Sequence, residues 1–240
     1  LSLSVESLDP TTLKNIKRSN IKFDEFSDLT GIFRDNGIPT YTELIVGLPG
    51  ETLQSFKNGL ETIAQTKVGT LLWFHCSVLP NAPMNIPEYK EKFKIKTIRS
   101  PVKLRHASLE YIKKDKIQEF EDLVYETSSY TFEELKQMTL YAWVFSTFQN
   151  LAIFEHFSNY YHQIHNLSFI SFYEIFFEYS KLVESIFSKE VEIVMNHFDN
   201  GLSGKGWDNV ETKFGDINWP IDEASWLRLV PDREMFEKES

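Results

Sequence analysis

The first 80 residues alternate between strand-like and helix-like segments, and this order restricts the chain to few folds. An apolar segment over residues 40–47 is followed by a turn, a helical pattern over 52–65 and a second apolar segment over 70–78. Residues 1–6 alternate apolar and polar side chains, as a strand does. Strands that alternate with helices are typical of a parallel α/β sheet. Because the strand over 70–78 is nearly all apolar apart from His75 and Ser77, we predict a parallel sheet buried on both faces.

Capping signals define two helices in this first part. Asp9 before Pro10 predicts a helix start, because aspartate accepts hydrogen bonds from the first free amides and proline suits the first helical position. This helix is expected to run to about Arg18. Asn36 and Gly37 predict the end of the next helix, since glycine tolerates the left-handed conformation found after a helix.

The second half of the chain is richer in helical periodicity and poorer in glycine and proline. Residues 131–134 (TFEE) and 171–174 (SFYE) both fit a capping box, in which a hydroxyl and a glutamate satisfy free amides reciprocally. We predict helices over 104–127, 132–163 and 171–199, with Asn200 and Gly201 ending the last. An ordered tail with a short terminal helix is expected over 202–240.

Composition excludes several classes of protein. The formal net charge of −10 argues against a general nucleic-acid binder, which needs a cationic face to neutralise phosphates. A single cysteine, Cys76, forms neither an internal disulfide nor a cysteine cage for a metal, so we expect an intracellular, cytoplasmic protein. No apolar run approaches the roughly 20 residues that cross a bilayer, and we expect no membrane partner. The chain starts LSLSV without an initiator methionine, so we expect a missing N-terminal part of the same protein.

Three segments together carry a family resemblance. The first is SVESLDP over residues 4–10, continued by IKRSN over 16–20. The second is GIPTYTELIVGLPGET over 37–52, and the third is VLPNAPM over 78–84 followed by PEY over 87–89. In order and spacing they resemble strand–helix units four to six of the partial TIM-like (β/α) barrel of radical S-adenosylmethionine (SAM) enzymes, and most closely those of the cobalamin-binding type. The resemblance implies a C-terminal half barrel over 1–103, followed by an α-helical region over 104–240 with an irregular tail.

The resemblance also implies a SAM site at the carboxyl ends of these strands. Carboxylates suit the ribose hydroxyls of SAM, and the planar fork of an arginine suits its carboxylate. The family uses a polar residue at the end of the fourth strand and an arginine on the following helix. By this match the SAM-contacting residues are expected to be Glu6, Ser7, Arg18, Glu43, Val46, Gly47 and Leu79.

One departure from the family limits the activity expected of these 240 residues. Radical SAM enzymes hold a 4Fe-4S cluster with a Cys-x3-Cys-x2-Cys loop, and no such run occurs here. The cluster and cobalamin are therefore expected only in a longer parent protein, and the chain alone is not expected to cleave SAM. The resemblance implies a methyltransferase or oxidoreductase that acts on a small-molecule substrate.

Other interpretations remain open at this stage. The chain is alternatively a non-catalytic module that dimerises through the open edge at residues 1–6, or a helical protein that binds a small molecule among residues 104–200. His75 lies on a predicted strand where it can face a substrate. His162 and His165 are spaced as metal ligands can be, but their aromatic surroundings favour a surface or interface, and no metal site is predicted.

Overall fold

A computed structural model describes residues 1–66, 68–114, 117–207 and 209–231. The chain forms two compact units. The first consists of Leu1–Thr97 and Val124–Tyr173, and the second of Ile98–Leu123 together with the chain from Glu174 onward. The predicted division of the sequence at residue 103 stays a prediction.

Ten helices and six short strands occur in the described residues. In chain order they are α1 (Pro10–Asn15), α2 (Phe23–Asp35), β1 (Tyr41–Val46), α3 (Leu53–Thr66), β2 (Thr70–His75), α4 (Pro87–Phe93), β3 (Lys96–Pro101), α5 (Leu109–Lys114), β4 (Phe120–Glu126), α6 (Phe132–Val144), α7 (Glu155–His165), α8 (Phe169–Leu182), α9 (Ile186–Leu202), β5 (Val210–Glu211), β6 (Ile217–Asn218) and α10 (Ile221–Leu229). A π-helical turn, Phe145–Asn150, joins α6 to the segment before α7, and 3-10 turns occupy Pro83–Asn85 and Thr212–Phe214.

The parallel arrangement predicted for the first unit is confirmed. Strands β1 and β2 pair in parallel, with Tyr41 opposite Thr70. Residues 1–6 run alongside β1 through parallel bridges that join Ser2 to Tyr41 and Glu6 to Leu44. The three segments therefore lie in the order 1–6, β1, β2, and the expected α/β fold is confirmed. The described sheets are small and none of them closes on itself, so half-barrel geometry stays a prediction.

The prediction that both faces of this sheet are buried is wrong. Leu44 and Val46 of β1 are buried, and so are Leu71 and Trp73 of β2, whereas the alternate residues of both strands are half-buried or exposed. Phe74 is 37% exposed. Because side chains alternate between the faces of a strand, one face packs against helices and the other remains open in this chain.

Two of the predicted helix ends in the first part are confirmed. The Asp9 carboxylate accepts a hydrogen bond from the amide of Thr12 at 2.7 Å, and Pro10 is the first residue of α1. Helix α2 ends at Asp35, and Gly37 has a φ of 68°. These ends depend on contacts within a few residues, which is why the sequence specifies them.

The predicted helix over 132–163 starts where expected but is interrupted. Thr131 and Glu134 form the predicted capping box. The π-helical turn then follows α6, with the amide of Leu151 donating to the carbonyl of Ser146 at 3.0 Å. All nine residues from 141 to 149 are buried. A helix that packs on one side buries one stripe of side chains, and this stripe appears in the sequence as a repeat of apolar residues about every 3.6 positions. A segment that is buried on every side has no such repeat, so the sequence does not show where the helix changes.

Two further helix predictions are wrong. In place of a helix over 104–127, the structure has the short helix α5 and then strand β4, which pairs with β3. Aromatic and β-branched residues of β4, such as Phe120, Val124 and Tyr125, favour strands. The predicted capping box at 171–174 lies inside α8, because Ser168 accepts a hydrogen bond from the amide of Ser171 at 3.0 Å and the helix begins at Phe169.

The last predicted helix, over 171–199, is two helices. Ser185 interrupts it between α8 and α9, and its hydroxyl accepts a hydrogen bond from the amide of Ser188 at 3.1 Å. Helix α9 then runs past the predicted stop to Leu202. None of the described helices combines the length and the apolar character required to span a membrane.

A buried ion pair joins α9 to α10 within the second unit. The Arg228 guanidinium donates to the Glu190 carboxylate, with Nε 2.9 Å from Oε2, and a second bond reaches Glu211. The Glu190 side chain is 3% exposed and that of Arg228 is 17% exposed. Burial alone lowers the pKa of Arg228, but the two carboxylates raise it above its ordinary value. Each charge therefore depends on its partner for compensation inside the unit.

Candidate functional site

Glu6 occupies a strained turn at the end of the first strand segment. Its φ is 57°, and the amide of Ser7 donates to the carbonyl of Val5 at 2.6 Å, which closes a γ-turn centred on Glu6. The Glu6 backbone also bonds on both sides to β1, since its amide donates to the carbonyl of Glu43 at 2.8 Å and its carbonyl accepts from the amide of Ile45 at 2.9 Å. A γ-turn with positive φ is rare outside glycine and is often found where a side chain serves a function.

Arg18 is held beside Glu6 by the end of helix α1. Lys17 has a φ of 57°, and the amide of Arg18 donates to the carbonyl of Leu13 at 2.9 Å, as in a Schellman cap. The Arg18 Nη1 atom lies 2.6 Å from Glu6 Oε1, and Nη2 donates to the carbonyl of Ser4 at 2.8 Å. The side chains of Arg18 and Glu6 are 34% and 28% exposed. The pair is therefore accessible from solvent.

The Arg18 guanidinium retains donors for a ligand. Its Nε donates to Asn20 Oδ1 at 3.3 Å, so three of its five N–H groups have protein partners. The other two can donate to a carboxylate. Asn20 in turn donates to the carbonyl of Ser7 at 2.7 Å, which ties the segment after α1 to the γ-turn.

Glu43 has a partner on the neighbouring segment. It is half-buried on the open face of β1, and its carboxylate accepts a hydrogen bond from the hydroxyl of Ser4. The hydroxyl of Ser2 lies 2.8 Å from that of Ser4. Ser2, Ser4, Glu6 and Glu43 thus line the edge of the open face with hydroxyl and carboxylate groups. The structure brings together three of the predicted residues, Glu6, Arg18 and Glu43.

Ser7 lies in the interior, where it contacts a second carboxylate. It is 2% exposed, and its hydroxyl donates to the Glu51 carboxylate and accepts from the amide of Asp9 at 3.1 Å. Glu51 also accepts from the hydroxyl of Ser55 at the start of α3. Desolvation raises the pKa of Glu51, partly offset by hydrogen bonds from the hydroxyls of Ser55 and Ser7. Ser7 therefore connects the γ-turn to the loop after β1 rather than presenting its hydroxyl to solvent.

The remaining predicted residues, Val46, Gly47 and Leu79, differ in their burial and in their contacts. The Val46 side chain is fully buried on the helix-covered face, so only its backbone lies near the end of β1. Gly47 has a φ of 89°, and its carbonyl accepts a hydrogen bond from Tyr130 at 2.6 Å. Leu79 is 62% exposed, and among the described residues no hydrogen bond joins it to Glu6, Arg18 or Glu43.

The loop after β1 is held against α1 by residues that the sequence did not single out. Asn15 donates to the carbonyl of Pro49 at 3.1 Å, and its own carbonyl accepts from the Tyr89 hydroxyl at 3.1 Å. Gly50 has a φ of 101° at this contact. Ser4, Asn20 and Asn15 escaped sequence analysis because their roles depend on contacts between distant segments. For Ser4 alone a signal existed, since it lies two residues before Glu6 and so shares a strand face with it.

His75 is the last residue of β2, and Cys76 follows it. The His75 Nε2 atom lies 3.1 Å from the Thr139 hydroxyl of α6, so the ring contacts this helix. That His75 faces a substrate stays a prediction. Cys76 is buried, and desolvation raises the pKa of its thiol to about 12. Within the described ranges, no three histidine, cysteine, aspartate or glutamate side chains come together in a way that could hold a metal ion.

Known proteins of two organisms match nearly the whole chain. It is 25% identical to the cobalamin-dependent radical SAM methyltransferase TokK of Streptomyces tokunonensis, across 99% of this chain and 37% of that protein. It is also 25% identical to a 2-(S-pantetheinyl)-carbapenam-3-carboxylate methyltransferase of Streptantibioticus cattleyicolor, across 97% of this chain and 36% of that protein. The chain resembles cobalamin-type radical SAM enzymes. These matches confirm the resemblance first seen in the three sequence segments.

A third known protein matches only part of the chain. Over 69 residues the chain is 39% identical to a probable threonylcarbamoyladenosine tRNA methylthiotransferase of Methanocaldococcus jannaschii, which is 28% of this chain and 16% of that protein. No protein-family model matches the chain. The chain spans a little over a third of the length of the two methyltransferases that it matches throughout.

Proposed function

We propose that this chain is the SAM-binding C-terminal part of a cobalamin-dependent radical SAM methyltransferase. The observation that carries the proposal is the cluster of Glu6, Arg18 and Glu43 on the open face, close to the loop that begins at Gly47. Its support from outside the structure is the similarity to TokK across 99% of the chain. The half-barrel architecture and the helical region that accompanies it are part of this proposal.

The cluster matches the polar groups of SAM. Carboxylates of Glu6 and Glu43 accept hydrogen bonds, as ribose hydroxyls and an ammonium group require. The two free N–H groups of Arg18 suit the carboxylate of the methionine moiety, because charge-assisted bonds from a guanidinium are the stronger kind. Ile45 lies on the same face as Glu43 and offers apolar surface for the adenine. In this proposal Arg18 has two tasks, to orient Glu6 and to bind the ligand.

The described residues do not fit an iron–sulfur cluster. Thiolates are the ligands of such clusters, and this chain has one cysteine, which is buried with a pKa raised to about 12. No chemical step through a cluster or through cobalamin is therefore assigned to these residues. We propose that the N-terminal remainder of the parent protein supplies both groups, and that a small molecule is the methyl acceptor.

The proposal is tested by titrating S-adenosylhomocysteine into the chain by calorimetry. Glu6→Ala and Glu43→Ala remove the two carboxylates, and Glu25→Ala on the exposed face of α2 is the matched control. A hydrogen bond to a charged group contributes about 1.5–3 kcal/mol, so each site variant is expected to weaken binding by roughly 10- to 150-fold. The control is expected to bind as the parent does.

The result that contradicts the proposal is binding that does not depend on Glu6 and Glu43. Absence of binding to this chain, followed by absence of binding to a chain extended upstream to include a cysteine motif, also contradicts it. Circular dichroism and urea unfolding of each variant separate loss of the site from loss of the fold. The Glu6–Arg18 pair is partly exposed, and such pairs contribute about 0–1 kcal/mol to stability, so Glu6→Ala is expected to fold.

A further inference from the structure

A polar cavity in the first unit lies at the opposite ends of the strands from the cluster of Glu6, Arg18 and Glu43. It has a volume of about 180 Å³ and lies beside Gly69, where strand β2 begins. Its apolar wall includes Ile63 and Val68. Its polar wall consists of four side chains, Gln149, Asn150, Glu155 and Asn159. Water occupies about 30 Å³ per molecule in the liquid, so the cavity accommodates a ligand of a few heavy atoms.

Gln149 presents a fixed donor to this cavity. It is 6% exposed, and its Oε1 accepts hydrogen bonds from the hydroxyls of Ser158 at 2.6 Å and Tyr173 at 2.9 Å. Burial raises the pKa of the Tyr173 phenol well above its ordinary value, so the phenol remains a donor. Because the amide oxygen of Gln149 faces these two hydroxyls, its amide nitrogen points away from them. No described residue accepts a hydrogen bond from that nitrogen, so it remains available to a ligand in the cavity.

The other three polar side chains supply oxygen acceptors. Glu155 is the first residue of α7, where the helix dipole favours a negative charge, and no described cation forms an ion pair with it. Asn159 lies four residues later on the same face of α7. Asn150 donates through Nδ2 to the carbonyl of Val68 at 3.3 Å, which leaves its Oδ1 as an acceptor. The cavity thus combines amide donors with several oxygen acceptors and one negative charge.

The π-helical turn explains how two consecutive amides line one cavity. Gln149 and Asn150 are the last residues of Phe145–Asn150. In a regular α-helix consecutive side chains diverge by about 100°, whereas a π-helical turn widens the helix and changes this spacing. Such turns occur often at functional sites. The π-helical turn therefore places the amides of Gln149 and Asn150 on one polar cavity that a small ligand can enter.

We propose that this cavity binds a small ligand with a primary ammonium group next to an amide carbonyl. The ammonium pairs with Glu155, and the carbonyl accepts from the amide nitrogen of Gln149. The oxygens of Asn150 and Asn159 accept the remaining N–H groups. This chemistry is that of an amino-acid amide and also of the amino terminus of a peptide. The proposal does not depend on SAM binding, because none of its residues belongs to the cluster at Glu6.

Glycinamide is the probe for the test, monitored by calorimetry or by NMR chemical shifts. It has five heavy atoms, and the efficiency limits of small ligands allow a dissociation constant of about 1 mM. Glu155→Gln removes the charge while keeping the shape, and Glu133→Gln on exposed α6 surface is the matched control. We expect saturable binding that weakens at least about tenfold in Glu155→Gln and is unchanged in Glu133→Gln. N-acetylglycinamide, which lacks the ammonium, is expected not to bind.

A second arm distinguishes the two sources of the ligand. Binding of triglycine amide as tight as that of glycinamide identifies a peptide amino terminus, and binding of glycinamide alone identifies a free amino-acid amide. The proposal is overturned if glycinamide shows no saturable binding up to about 50 mM, well above the affinity expected for its size. It is also overturned if Glu155→Gln binds as well as the parent. Titration of S-adenosylhomocysteine into Glu155→Gln shows whether the two sites are independent, as expected.

Discussion

Replacement of Gly47 by alanine tests whether the loop after β1 depends on a backbone conformation that only glycine adopts easily. The φ of Gly47 is 89°, and an added Cβ would lie 3.0 Å from both the Tyr130 hydroxyl and Leu135 Cδ1. The positive φ costs an L-residue about 1–2 kcal/mol. Displacement of Tyr130 would break its buried hydrogen bond to the Gly47 carbonyl, which costs about a further 1–3 kcal/mol. The expected loss of unfolding free energy is therefore about 2–5 kcal/mol.

The control for this change is Gly31→Ala in the interior of helix α2. An added Cβ there has only the Arg34 side chain nearby, at 4.0 Å, and its φ is helical. Alanine is more favourable than glycine inside a helix by about 0.8–1 kcal/mol, so this variant is expected to be more stable than the parent. Urea unfolding measures both variants, with the slope of each transition compared to confirm a similar exposed surface. If Gly47→Ala loses less than about 1 kcal/mol, the strain assigned to φ and to Tyr130 is refuted.

Two substitutions and one labelling experiment test the buried charges and the thiol. Arg228→Met leaves Glu190 without compensation, so we expect a loss of about 3–5 kcal/mol in urea unfolding, whereas Lys181→Met at an exposed pair changes stability little. Because folding raises the pKa of Glu51, its protonated form favours the native state, and stability is lost as pH rises from its ordinary value of 4.5 through the folded value. The urea midpoint of Glu51→Gln is therefore expected to rise relative to that of the parent as pH increases from 4 to 8. A difference between the two midpoints that does not change with pH contradicts this. Cys76, whose thiol pKa is raised to about 12, is expected to react with a thiol reagent at pH 8 only after denaturation, and rapid native labelling contradicts its burial.

Local signals account for the parts of the fold that the sequence predicted well. Asp9 caps α1 and Thr131 caps α6, and each role involves residues no more than three positions away. The strands over 41–46 and 70–75 are short segments rich in β-branched, aromatic and leucine residues. The helix prediction over β4 fails because the alternation in this strand is weak and because it pairs with β3, whose residues lie between 19 and 30 positions away in the sequence. Pairing at such distances leaves no mark in a short window of sequence.

The candidate site shows the same division between local and distant causes. The sequence identified Glu6, Arg18 and Glu43 separately, each as a ligand contact, but not the contacts among them. The Glu6–Arg18 pair requires a γ-turn at Glu6 and a left-handed conformation at Lys17. Residues other than glycine seldom adopt either conformation, so the residue types at these positions do not predict them. One strained residue, Glu6, belongs to the pair, and the other, Lys17, directly precedes Arg18. Hydrogen bonds to β1 hold the first conformation, and hydrogen bonds to α1 hold the second. Strained conformations that two separate elements hold in place are expected where a side chain must be presented to a ligand. This arrangement supports the proposal that the open face binds SAM.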